Sequence, residues 1–245
     1  RQPYLAIVKR QKLYAALACP PDPPQVAWIR LFVVSSSISI QKAWDILWPV
    51  GRKRLIEKRA SDTVAIILLK NGIEDLFITS GFSKSHSIAS LGWSSINAKW
   101  PKEKIKISIR WMQNEDLQVL RDIDQKAFSP LWRISISSLA YALKSSAIAT
   151  VAEIDGDIVG YQISTRDISE GHLARLAVIP SYQRAGVGTA LVQDLLSRFS
   201  FVGSCRVTVN TQDNNVASLR LYNKFGFKKD AITYPVYQLR LKDTL

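Results

Sequence analysis

The chain repeats itself at a fixed offset of 145 residues, and that repetition narrows what it can fold into. "WIRLFVVSSSISIQKAWDILW" (28–48) lies over "LARLAVIPSYQRAGVGTALVQ" (173–193), with Leu31 on Leu176 and Val33 on Val178. Further on, Gly81-Phe82 lies over Gly226-Phe227 at the same offset. A constant offset across two separated segments argues for internal duplication, so one supersecondary plan serves both halves. The first copy is the shorter and lacks the leading strand and two helices that the second has.

The second half carries the fuller pattern. "IKISIRWM" (105–112) alternates as a strand does. "NEDLQVLRDIDQKAF" (114–128) has helical spacing at Leu117, Leu120, Ile123 and Ala127, and its Asn114, Glu115 and Asp116 suit a helix start. "SISSLAYALKSS" (135–146) reads as a second helix, and "ATVAEIDGDIVGYQIS" (149–164) as two strands around the hairpin signal Asp155-Gly156. A strand over 172–179, a helix over 186–199, a strand from Cys205, a helix over 216–225 stopped by Gly226 and a strand over 232–241 complete it. This order predicts an α/β chain with a mixed sheet and helices on both faces. The polar, proline-containing stretch 97–104 reads as a junction, giving domains 1–104 and 105–245. Cys205 is expected to be a small buried hydrophobe rather than a nucleophile.

The turn between the 172–179 strand and the next helix carries the chemistry. A helix N-terminus offers unpaired backbone N–H groups and the positive end of a dipole. In Gln183-Arg184-Ala185-Gly186-Val187-Gly188-Thr189, the two glycines let a phosphate approach the backbone, and Arg184 adds a fixed cation. Such a turn by itself more often serves only to start a helix.

Q-R-x-G-x-G after an apolar strand, followed by Asn215, Tyr222, Gly226 and Phe227 in N-x6-Y-x3-G-F spacing, resembles the GCN5-related N-acetyltransferase (GNAT) superfamily. The resemblance covers about 105–245, most like the RimI-type enzymes that acetylate protein α-amines, and the first half resembles a truncated, degenerate copy of the same fold. It implies a tandem GNAT fold that binds acetyl-CoA between two splayed strands. Leu176, Ala177 and Val178 would offer backbone groups to the pantetheine arm and thioester, residues 183–189 would hold the pyrophosphate, and Asn215 would bond the cofactor. Tyr222 falls on the family's general acid. Glu170 stands where RimI-like enzymes carry a glutamate base, with His172 as a rival base, and Arg175 is expected to face the acceptor. In the first copy Gln183, Arg184, Gly186, Gly188 and Tyr222 fall on Ile38, Ser39, Gln41, Ala43 and Phe77, so that half is expected neither to bind CoA nor to catalyse.

The implied reaction is acetyl transfer to a primary amine, with a protein N-terminal α-amine ahead of lysine. A small-molecule amine, in a tandem arrangement resembling mycothiol synthase, is the rival within enzymes, and a non-catalytic acyl-CoA-binding scaffold the rival outside them. The net charge of +13 attracts anions, and residues 1–104 hold 16 Lys+Arg against 7 Asp+Glu. No dense basic run reads as a nucleic-acid arm, "GRKRLIEKR" (51–59) coming nearest, so nucleic acid is not the expected partner. Two cysteines suit a reducing cytoplasm, no metal-ligand spacing is seen, and no apolar run is long enough to span a membrane.

Overall fold

The structure is a computed structural model of the 245-residue chain, describing residues 3–57, 61–69, 72–101, 107–168, 170–203 and 205–241. The 104/105 junction, the start of the 105–112 strand and the end of 51–59 lie outside the described residues. The chain forms two compact units, Arg1–His86 with Tyr234–Leu245, and Ser87–Thr233.

The first unit contains strands β1 (Tyr4–Lys9), β2 (Lys12–Ala18), β3 (Val26–Trp28), β4 (Leu31–Val34) and β5 (Thr63–Ile67), and helices α1 (Ile40–Glu57) and α2 (Glu74–Ile78). Strand β6 (Ser83–Ser94) begins in this unit and continues into the second. The second unit continues with β7 (Ser108–Trp111), α3 (Leu117–Ala127), α4 (Ile136–Lys144), β8 (Ile148–Ile154), β9 (Asp157–Arg166), β10 (Glu170–Val178), α5 (Val187–Phe201), β11 (Arg206–Gln212) and α6 (Val216–Lys224). Strand β12 (Lys228–Arg240) returns to the first unit. Residues 88–94 of β6 pair antiparallel with β11, and residues 236–240 of β12 pair antiparallel with β5. The strand that ends each copy therefore lies against a strand of the other copy.

The duplication is visible residue by residue. The β1–β2 hairpin turns on Arg10 and Gln11 (φ 49° and 62°), and the β8–β9 hairpin on Asp155 and Gly156 (φ 52° and 87°), again 145 residues apart. Helices α2 and α6 end alike: Phe82 N–H donates to Phe77 O and Gly81 N–H to Ile78 O, as Phe227 N–H donates to Tyr222 O and Gly226 N–H to Asn223 O. Gly81 and Gly226, at φ 89° and 88°, occupy the left-handed conformation that such a helix end requires. The alignment slips in one strand. Ala18 pairs with Leu31 and Ala16 with Val33, whereas their counterparts Ile163 and Tyr161 pair with Arg175 and Ala177. Leu31 thus corresponds to Arg175, not Leu176, and Val33 to Ala177, not Val178. The cause is an irregularity in β10 between Leu173 and Arg175, where the first copy breaks between β3 and β4.

In the second unit the strand order is β6-β11-β10-β9-β8-β7. Leu120, Ile123 and Leu139 of α3 and α4 pack with Val151, Tyr161 and Ile163. Val192, Leu195 and Phe199 of α5 pack with Leu173 and Val207. Gly171 faces Phe199 so closely that a Cβ there would sit 2.7 Å from the ring. In the first unit, β1, β2 and β4 form an antiparallel sheet over a core of Phe32, Trp44, Trp48, Phe77 and Phe82. Trp44 stacks on Trp48 at 5.1 Å and meets Phe77 edge-on at 4.8 Å. Cys205, expected to be buried, is exposed, because it precedes β11 rather than opening it.

Candidate active site

Strand β10 parts from β11 halfway along. The two pair in parallel only from Glu170–Arg206 to Leu173–Val209, while β10 stays paired with β9 as far as Val178–Gly160. The extra residue at Ala174 turns the strand, so its last residues keep one neighbour and open the other edge. Ile179 N–H donates to Val159 O at 2.9 Å, on the β9 side. Backbone direction alternates along a strand, so the N–H groups of Leu176 and Val178 point to the opened edge and Ala177 points to β9. Gln183 Nε2 donates to Val178 O at 3.3 Å and ties the following turn to this edge.

That turn is built around left-handed backbone. Arg184 has φ 66° and Gly186 φ 86°, and α5 starts at Val187. The first helical bond runs from Ala190 N–H to Gly186 O at 3.0 Å. The amides of Val187, Gly188 and Thr189 therefore have no partner within the helix. Gly188 has a second reason to be glycine: a Cβ there would lie 3.1 Å from Leu221 Cδ2 on α6. Three free amides, two residues without Cβ and the exposed Arg184 and Ala185 suit an anionic diphosphate.

Asn215 caps α6. Its Oδ1 accepts from Ser218 N–H at 3.1 Å, and its Nδ2 donates to Gln212 Oε1 at 3.3 Å. Two turns later Tyr222 is buried with its ring 5.4 Å from Phe227, and burial raises its phenol above the ordinary value of 10.0. Its first-copy counterpart, Phe77, is fully buried and has no hydroxyl. Glu170, at the start of β10, pairs with Arg206 Nη1 at 3.2 Å. Two residues on, His172 Nδ1 lies 2.9 Å from Thr208 Oγ1, and burial lowers its pKa from 6.5.

Arg175 is held inside the protein. It donates through Nε to Asp124 Oδ2 and to Tyr161 Oη at 3.1 Å, and through Nη2 to Trp132 O at 2.8 Å. Its guanidinium also lies 4.0 Å over the Phe128 ring. Asp124, fully buried, further accepts from Tyr161 Oη–H at 2.6 Å and from Ile134 N–H at 3.2 Å. Burial raises the Tyr161 phenol, with Arg175 and Asp124 acting in opposite directions. The geometry gives Arg175 the task of fixing the 128–134 loop to β10. Sequence reading missed Asp124 and Tyr161, although Asp124 sits four residues after Leu120, on the helix's apolar face.

A family model described as the Acetyltransferase (GNAT) family matches residues 117–227. The matched segment is a GNAT acetyltransferase domain. Among relatives, an uncharacterized N-acetyltransferase of Methanocaldococcus jannaschii is 28% identical over 131 residues, covering 53% of this chain and 83% of that one. The [ribosomal protein bS18]-alanine N-acetyltransferase of Escherichia coli is 25% identical over 130 residues, covering 53% and 86%. Among solved structures, a tandem GNAT protein from the clavulanic acid biosynthesis pathway superposes with TM-score 0.68 at 14% identity, over 96% of this chain and 82% of that one. A GCN5-related N-acetyltransferase from Kribbella flavida superposes with TM-score 0.73 at 12% identity, over 98% and 60%. At those identities the likeness is one of fold, and it extends over both units. Among the described residues, no group of three metal-ligating side chains occurs, and no helix is long and apolar enough to cross a membrane.

Proposed function

We propose that this GNAT protein acetylates protein N-terminal α-amines at a single site in its second unit. The observation that carries the reading is the parting of β10 from β11 beyond Leu173 and Val209, with the free amides of α5 at one end and Glu170 at the other. Acetyl-CoA supplies the thioester carbonyl. Leu176 N–H and Val178 N–H line the opened edge, where they hold the arm and the oxygen that gains charge as the amine attacks. Residues 183–189 take the diphosphate, and Asn215, while capping α6, holds the end of β11.

The amine must lose a proton. At pH 7 an α-amine is neutral in roughly 10–15% of molecules and a lysine in roughly 0.04%, so an α-amine asks less of a base. Glu170 is the proposed base and His172 the alternative. His172 shares the α3–α4 face of β10 and is kept neutral at pH 7 by its lowered pKa. Tyr222, kept protonated by burial, donates to the departing thiolate.

The first copy, 1–104 in the sequence, is proposed to be non-catalytic. Ala43 and Phe77 replace Gly188 and Tyr222, and the rings of Trp44, Trp48 and Phe77 fill the corresponding interior. A second reading, transfer to a small-molecule amine, draws on the likeness over 96% of the chain to a tandem GNAT protein of a biosynthetic pathway. One assay separates the two. Acetyl transfer is followed for peptides with free α-amines, the same peptides N-capped but containing lysine, and a set of amino sugars and polyamines. Turnover confined to free α-amine peptides supports the proposal, and preferential turnover of the small amines replaces it with the second reading.

A further inference from the structure

The two copies differ in what covers one face of their antiparallel sheets. In the second, the face bearing Ala149, Val151, Tyr161, Ile163 and Ala177 is buried under α3 and α4. The described residues of the first copy contain no counterpart of those helices. The pairings assign the matching face there: Tyr4 opposite Ala18, Ala6 opposite Ala16, Val8 opposite Leu13, and Leu31 and Val33 opposite Ala18 and Ala16. The other face, with Leu5, Ile7, Leu17 and Phe32, is packed into the core. On the uncovered face, Tyr4 is 56% exposed, Val8 60%, Leu13 53%, and Leu31 and Val33 44% each. Large apolar side chains pointing to water from three adjacent strands form a patch of the kind that binds.

The duplicate shows what such a face accepts, namely amphipathic helices laid across the strands. The charge around it narrows the choice. Residues 1–21 hold Arg1, Lys9, Arg10 and Lys12 and no acidic residue, and none follows between Asp22 and Asp45. Lys12 lies 5.9 Å over the Tyr14 ring, beside the hairpin end of the patch. Two copies stacked face to face would set these cations against each other. We propose that the open face of β1, β2 and β4 is a docking surface for an amphipathic helix with an acidic polar face, carried by another protein.

The test uses the full chain and a synthetic 20-residue helical peptide with Leu and Ile on one face and Glu on the other, titrated by fluorescence anisotropy. The expected result is binding at about 100 μM or tighter. Binding weakens roughly ten-fold or more with Val33→Glu, with Leu13→Glu, and with a peptide carrying Lys for Glu. Both positions are exposed, and an unchanged thermal midpoint shows that the variants fold. No binding of the Glu peptide at about 1 mM, or binding indifferent to both substitutions, overturns the proposal. It is equally overturned if the peptide fails while phosphatidylserine vesicles or a uridine-rich RNA bind in a Val33-dependent way, or if sedimentation shows Val33-dependent self-association.

Discussion

Replacing Asp124 by Ala tests whether the buried clasp at β10 holds the second unit together. The carboxylate is fully buried and accepts from Tyr161 Oη–H, Arg175 Nε and Ile134 N–H. Its removal leaves a guanidinium that is only 15% exposed and a buried phenol without their shared acceptor. Breaking one partner of a buried ion pair costs about 3–5 kcal/mol. For a chain of this size, about 2–4 °C of midpoint per kcal/mol makes that a fall of roughly 6–20 °C. Arg175→Leu, which installs the residue type found at Leu31, strands the carboxylate instead and costs a similar amount. The double variant removes both charges, so its loss should fall short of the sum by about 2 kcal/mol or more. Urea unfolding of the wild type and the three variants, followed by circular dichroism, measures all four corners. A cost below about 1 kcal/mol for Asp124→Ala, or simple additivity, refutes the reasoning.

Tyr222→Phe keeps the ring beside Phe227 and removes the hydroxyl, so kcat should fall about 10²-fold or more with the thermal midpoint little changed. Retention of kcat would remove Tyr222 from the mechanism. Gly188→Ala brings a Cβ to 3.1 Å from Leu221 Cδ2 and narrows the approach to the α5 amides, so the KM for acetyl-CoA should rise about ten-fold or more while kcat changes less. An unchanged KM would show that the diphosphate lies elsewhere. His172 has its pKa lowered by burial from 6.5, so the unfolded chain binds that proton more readily and the stabilisation present above 6.5 is lost as pH falls through that range. Unfolding free energy should drop between pH 7.5 and 5.5 and drop less in His172→Gln, and an equal drop in both would contradict this.

The parts of the fold that were legible in the sequence had strong local signals. Asp155-Gly156 announced the β8–β9 hairpin because glycine relieves the strain of positive φ, and Gly226 marked the end of α6. The matching β1–β2 hairpin was silent, since Arg10 and Gln11 adopt positive φ without the residue types that advertise it. The one-residue slip at Leu31 was hidden because apolar side chains fit either register, and only the pairing fixes which face each takes. Likewise, nothing local could say that β6 and β12 pair with strands of the opposite copy, because that pairing joins residues far apart in the chain. At the site, the glycines and Tyr222 stood out by spacing. The Arg175 clasp did not, because its members at 124, 161 and 175 come from three elements.

The central claim, one acetyl-CoA site per chain located in the second copy, is tested most directly by calorimetric titration of the full chain with acetyl-CoA, repeated on the Gly188→Ala variant. The account predicts a stoichiometry of one and a markedly weaker isotherm for the variant. Two sites, or a single site indifferent to the substitution, would contradict it.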